Sequence, residues 1–176
     1  MTVVAGGERV VLVSPCQEHA PELARLNAAS AALHASWVEA PRSLAAAAAF
    51  LAACERGPLR GLLVRRHDDG ALVGVVTLRS PRPPQCGTAE VACYVGAGYE
   101  RRGYMTAALR LALSDRVLDP EITRVVAWVQ PGNVASTRLF ARLDFRPTAR
   151  ARRLLRICGE WREHEPWELC RGPASG

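Results

Sequence analysis

The 176-residue chain has no lysine; all 23 of its basic residues are arginine, and with 17 acidic residues they leave a formal charge of +6. A surplus built from one residue type, beside long alanine runs, reflects codon composition, so the charge is discounted and no nucleic-acid partner is expected. The local cluster Arg150, Arg152, Arg153 and Arg156 alternates with Leu154, Leu155 and Ile157 and reads as a solvated strand face. Long apolar runs are missing too. Arg, Glu, Gly or Pro interrupts each stretch before the roughly 20 residues a membrane span needs, which excludes a spanning helix and any membrane role based on one. The start of the chain lacks a basic segment followed by an apolar one, so no secretory signal is expected and a cytoplasmic location follows by default. The cysteines Cys16, Cys54, Cys86, Cys93, Cys158 and Cys170 form no Cys-x-x-Cys pair, and no histidine stands at zinc-ligand spacing from them. Reduced, mostly buried thiols and no metal are expected.

What is present is a globular composition, 49% hydrophobic and 23% charged, in a length suited to one core. A single domain over 1–176 is expected, its core running over about 8–170. Strand-like runs fall at 9–13, 59–66, 71–79, 88–95 and 124–130, with two more after Phe145 joined near Cys158-Gly159-Glu160. Helical spacing appears at 17–32, 44–56, 103–118 and from Asn133 to about 143, with Ser43 and Asn133 as N-caps. Asp69-Gly70 marks a hairpin turn. The order lacks regular βαβ alternation, so the fold class is α/β in the mixed α+β sense: a mixed sheet with helices on both faces.

The chemistry concentrates at Val95-Gly-Ala-Gly-Tyr-Glu-Arg-Arg-Gly-Tyr-Met-Thr106, where a strand passes through glycines and two arginines into a helix. A helix N-terminus carries unpaired N–H groups and the positive end of the dipole, which makes this turn a candidate anion site, with Gly103 supplying close approach. A dinucleotide fingerprint fails, because the third glycine is Gly103 and not residue 101. A P-loop fails as well: Tyr104 and Met105 stand where Lys and Ser/Thr must hold phosphate and Mg²⁺. The loop alone equally suits a glycine-rich turn that binds nothing.

Two blocks decide between these. Glu90-Val-Ala-Cys-Tyr-Val95 with Tyr99-Glu-Arg-Arg-Gly-Tyr-Met-Thr-Ala-Ala-Leu109 resembles the acetyl-CoA signature of the GNAT N-acetyltransferase superfamily, in its ribosomal-protein N-terminal acetyltransferase-like branch. Arg124 to Phe145, with Asn133-x-x-Ser136-x-Arg138 and a Leu-Asp-Phe ending, is similar to that branch's next strand and helix. Gly159 to Leu169 resembles its closing hairpin. The resemblance implies a mostly antiparallel sheet of about seven strands whose fourth and fifth members splay around the cofactor. It also implies acetyl-CoA as co-substrate and direct transfer of acetyl to a primary amine through a tetrahedral intermediate. Pyrophosphate is then expected on the N–H groups of Arg102, Gly103, Met105 and Thr106 within the turn that includes Tyr104, with charge from Arg101, Arg102 or Arg138. The acetyl carbonyl is expected on strand N–H groups near Tyr94 and Val95.

The amine must lose its proton to attack, and Glu90 is the first candidate base, with burial expected to raise its pKa. His164 and Glu163 are the runners-up. Phe140 stands where many members of the superfamily place a Tyr, so Ser136 is the candidate to protonate or hydrogen-bond the thiolate. Asn133 contacts pantetheine or simply caps its helix. Glu100, Arg101 in place of Gly, Ala107 in place of Glu and Asp144 in place of Gly depart from the branch. Segments 28–42, 80–87 and 160–167 are expected to line the acceptor's mouth, with Trp37, Trp161 and Trp167 available to it. A protein or peptide α-amino group is the first expected acceptor and a small amine such as an amino acid or aminoglycoside the second; a non-catalytic acyl-CoA-binding module is the reading from another class. A homodimer is one assembly the resemblance allows.

Overall fold

A computed structural model of the chain describes residues 2–80, 87–149 and 152–172. The described strands are β1 (Thr2–Gly6), β2 (Val10–Ser14), β3 (Leu59–Arg66), β4 (Leu72–Arg79), β5 (Thr88–Val95), β6 (Arg124–Val129), β7 (Arg146–Pro147), β8 (Arg153–Ile157) and β9 (Glu160–Cys170). They run in the order β1-β2-β3-β4-β5-β6-β9-β7, with β8 paired to β9. Every pairing is antiparallel except β5 with β6. The long β9 uses its first half to pair β8 and its second half to pair β6.

Helices cover both faces. α1 (Ala20–Ala29) and α3 (Leu44–Arg56) bury Leu23 and Leu51 against Val13, Leu63 and Val75 on one face. α4 (Tyr104–Ala112) and α5 (Val134–Ala141) bury Leu109 and Phe140 against Leu12, Leu62, Val64 and Ala127 on the other. Strands buried on two faces need apolar side chains in both directions, so the buried centre of β3, Leu62, Leu63 and Val64, and most of β4 read as hydrophobic runs without polar alternation. Ser43 caps α3 by accepting from the Ala46 N–H at 3.1 Å, an interaction worth about 1 kcal/mol.

The mixed, mostly antiparallel sheet agrees with expectation, and four details differ. β1 was not foreseen, because a Gly-ended edge strand paired on one side only shows little alternation, and the two-residue β7 carries no pattern at all. The first helix breaks at Ser30, whose hydroxyl donates to the Leu26 carbonyl at 2.6 Å and accepts from the Ala97 N–H at 2.8 Å, leaving α2 (Ala31–His34) as a separate turn. α4 stops at Ala112, short of residue 118, where the Ser114 hydroxyl turns back onto the Leu111 carbonyl at 2.7 Å. The described cysteines are free, but Cys158 and Cys170 are exposed and Cys16, Cys54 and Cys93 only half-buried. The proline-rich loop at 81–86, Cys86 and Arg150 lie outside the described residues.

Candidate active site

The site begins where a ladder stops. β5 and β6 pair in parallel only from Thr88 with Arg124 to Val91 with Ala127; beyond that β5 pairs β4 alone and β6 pairs β9 alone. The two strands therefore splay, and a cleft of about 510 Å³ opens between them. The Gly96 N–H donates to Val73 across the β4 ladder at 2.8 Å. Alternation along an extended strand then turns the backbone groups of Cys93 and Val95 toward the gap and those of Tyr94 toward β4. The Val95 carbonyl on the gap side accepts from His34 Nε2 at 2.8 Å. The Tyr94 hydroxyl oxygen instead accepts from Asn27 Nδ2 at 3.2 Å, and burial pushes that hydroxyl above its usual range. Gly74 permits this geometry: a Cβ there would lie 2.4 Å from the Tyr94 carbonyl oxygen, a backbone atom that cannot step aside.

Residues 34–37 strap the wide end of the gap. His34 holds β5, while buried Gln130, just past β6, donates to the Ser36 carbonyl at 2.9 Å and the Trp37 carbonyl at 3.3 Å. His34 meets the Tyr94 ring edge-on at 5.1 Å between centroids. Because the Val95 carbonyl can only accept, Nε2 carries the hydrogen, and the buried Nδ1 has no partner among the described residues.

Glu90 lies on the cleft wall beside the last paired rung. Its Oε1 accepts from Trp128 Nε1 at 3.0 Å and from the Arg153 guanidinium at 2.7 Å, and that guanidinium also sits 5.3 Å above the Trp128 ring. The side chain is 38% exposed, so the burial expected for it is not found; β8 delivers a cation to it instead. His164 lines the same cleft from β9 and is buried. Its Nδ1 donates to the Arg162 carbonyl at 2.9 Å, which leaves Nε2 with the lone pair, and desolvation lowers its pKa from the ordinary histidine value. Glu163 is tied to Arg152 at 2.7 Å. Ser136 lines the cleft from α5, and Asn133, also on the cleft wall, accepts from the Ser136 N–H at 3.1 Å, so its cap role is visible. Cys93 also lines the cleft; burial pushes its thiol up to about 12, which disfavours a thiolate nucleophile.

The turn expected to bind an anion follows β5. Gly98, Arg101 and Gly103 have φ of 84°, 59° and 80°, three left-handed positions that curl the chain between β5 and α4. Gly103 is the N-cap of α4 and provides no side-chain acceptor, so the first-turn N–H groups, Met105 and Thr106 among them, have no capping partner from it. Arg9 reaches this turn from beside β2: it donates to the Arg102 carbonyl at 2.8 Å and lies 5.8 Å over the Tyr104 ring. Glu100 is half-buried with no ion pair among the described residues.

Several expected residues are elsewhere. Arg138 is exposed in the last turn of α5 and is not part of the cleft wall. Of the three tryptophans offered to the acceptor, Trp37 lines the cleft, Trp161 is 69% exposed away from it and Trp167 packs against the core. Trp128, Arg153, Gln130, Arg79 and Arg9 were missed. Trp128 was accessible from alternation, since Glu90 pairs with Val126 and the residue two further on shares that face. Arg153 lies 63 positions from Glu90, and nothing local announces that pair.

Comparison with known proteins identifies the family and supports the fold. Residues 9–146 match the family model described as acetyltransferase (GNAT) domain. A probable N-acetyltransferase, YjcK, of Bacillus subtilis strain 168 is 28% identical over 97 residues, 55% of this chain, and the match spans about half, 54%, of that relative. Among solved structures, the Salmonella typhimurium acetyltransferase that modifies the N-terminal serine of ribosomal protein L7/L12 superposes with a TM-score of 0.83 at 14% identity, covering 97% of this chain and 100% of its own. Mycobacterium smegmatis RimJ, solved with a CoA disulfide, gives 0.77 at 21% identity, covering 96% and 84%. The low identities speak for the fold, while the family model spans most of the sequence: this chain belongs to the GNAT acetyltransferase family.

Proposed function

We propose that the chain transfers acetyl from acetyl-CoA to the α-amino group of a protein or peptide N-terminus. The observation that carries this reading is the splay of β5 from β6, which leaves the Val95 N–H facing a cleft while the uncapped start of α4 closes the same strand-turn-helix unit. These residues fit acetyl-CoA as substrate. The turn at 101–106 takes the pyrophosphate, helped by Arg9, Arg101 and Arg102, and open space on the Cβ side of Gly98 and Gly103 allows close approach. The gap-facing N–H of Val95 polarises the acetyl carbonyl and receives its developing negative charge. Asn133 and Ser136 face the pantetheine end.

In the reaction the neutral amine attacks the thioester carbonyl carbon; the C–N bond forms, the C–S bond breaks, and the amine proton passes to a base. Glu90 is that base. Its second oxygen is not engaged by Trp128 or Arg153, and the residue lines the cleft. Ser136 donates to the departing sulfur. The S. typhimurium neighbour, which acts on an N-terminal serine, supports a peptide acceptor.

His164 is the alternative base, favoured by its buried, neutral ring with Nε2 unprotonated. The two are separated by pH profiles of kcat on one N-terminal peptide. With Glu90 as base, Glu90→Gln lowers kcat by roughly 100-fold or more and removes the acid limb, while His164→Gln keeps that limb. The opposite pattern transfers the role to His164; because burial lowers its pKa, that limb lies below the ordinary histidine range. Binding of acetyl-CoA without turnover in any variant, wild type included, favours a non-catalytic acyl-CoA-binding module, a reading to which the unpaired Glu100 beside the anion turn lends weight.

A further inference from the structure

We infer that Arg79 selects acceptors that carry a carboxylate close to the reacting amine, which in a peptide means an aspartate or glutamate within its first residues. The inference rests on the acetyl-transfer reading above and adds a substrate preference to it. Among the described residues three charged side chains line the cleft, Arg79, Glu90 and Arg153, and the buried His164 beside them is held toward its neutral form. Arg153 and Glu90 neutralise each other at 2.7 Å. Arg79 has no hydrogen bond or ion pair among the described residues, so the acceptor side of the cleft keeps one uncompensated positive charge.

Its position gives that charge a direction. Arg79 of β4 is the cross-strand partner of Glu90 of β5. Directly opposed residues of an antiparallel pair hold their side chains on one face with Cβ atoms about 5 Å apart. An amine delivering its proton to Glu90 therefore brings its neighbouring groups within reach of a long guanidinium. The walls around the pair, Trp37, Leu59, Leu155 and Ile157, are apolar and provide no competing carboxylate. A planar fork of donors against a carboxylate makes two charge-assisted hydrogen bonds, whereas a second ammonium on the acceptor meets repulsion. The same geometry disfavours polycationic acceptors of the aminoglycoside kind.

The test measures kcat and KM for peptides identical except at the second residue, Glu, Gln or Lys, with wild type, Arg79→Lys and Arg79→Glu. A parallel arm compares free aspartate with agmatine. Wild type is expected to favour the Glu peptide over the Lys peptide by at least about 10-fold in kcat/KM, chiefly through KM. Arg79→Lys keeps the order with a smaller margin, and Arg79→Glu reverses it. Since Arg79 is exposed at the end of β4, the variants are expected to fold, and thermal melts check this. An unchanged order in Arg79→Glu overturns the inference and leaves the peptide reading standing. Absence of turnover on every peptide overturns the peptide reading, and the small-molecule arm then decides this one: a preference for aspartate that Arg79→Glu abolishes upholds it, and agmatine used as well as aspartate refutes it.

Discussion

Arg101 occupies left-handed backbone at φ 59°, a conformation that costs an L-residue with a Cβ roughly 1 kcal/mol and glycine almost nothing. The turn tolerates that strain where the pyrophosphate is proposed to bind, and where an arginine would add positive charge. Arg101→Gly is expected to raise unfolding free energy by about 1 kcal/mol in denaturant melts while weakening CoA binding in calorimetry. An unchanged melt would show that the turn relaxes around the arginine. At this scale the sequence was most informative where chemistry is local. Ser43 and Asn133 were readable as caps, because the acceptor oxygen and the N–H it serves are three residues apart. Asp144, standing where glycine is usual, has φ 64°, as the left-handed helix end requires. The salt bridge that holds Glu90 was not readable, since Arg153 reaches it only after β8 and β9 have folded back along β6.

At the scale of elements, the strap over residues 34–37 joins the two strands that the splay separates. Gln130, just past β6, holds it there, its amide satisfying the carbonyls of Ser36 and Trp37. Gln130→Ala is expected to lower stability by about 1–2 kcal/mol and to raise the acceptor KM more than it lowers acetyl-CoA affinity, read by melts and by two-substrate kinetics. Equal effects on both substrates would assign Gln130 a general packing role. The order of the long elements was legible because α3 carries a long alanine-rich run and β3 and β4 carry apolar centres separated by the Asp69-Gly70 turn. The break at Ser30 and the early end of α4 were not, because a serine hydroxyl that turns back onto the helix carbonyls looks in sequence like any helical serine.

Across the whole molecule, helices on both faces fix the sheet, and the parallel junction of β5 with β6, the single one among the described residues, is the place where its strands can part without losing a ladder on their outer sides. Both long sequence blocks converge there: the first supplies Glu90, Val95 and the turn, and the second supplies Asn133 and Ser136. No helix of the described residues is long and apolar enough to cross a membrane. The central claim is that this junction moves acetyl onto a peptide's α-amino nitrogen. Incubating the protein with acetyl-CoA and a serine-initiated peptide that also contains lysine, then locating the acetyl group by fragment-ion mass spectrometry, tests it directly. The account predicts one acetyl group on the N-terminal nitrogen, with release of an equal amount of free CoA thiol. Acetyl on the lysine side chain alone, or no thiol release while CoA binds, would contradict it.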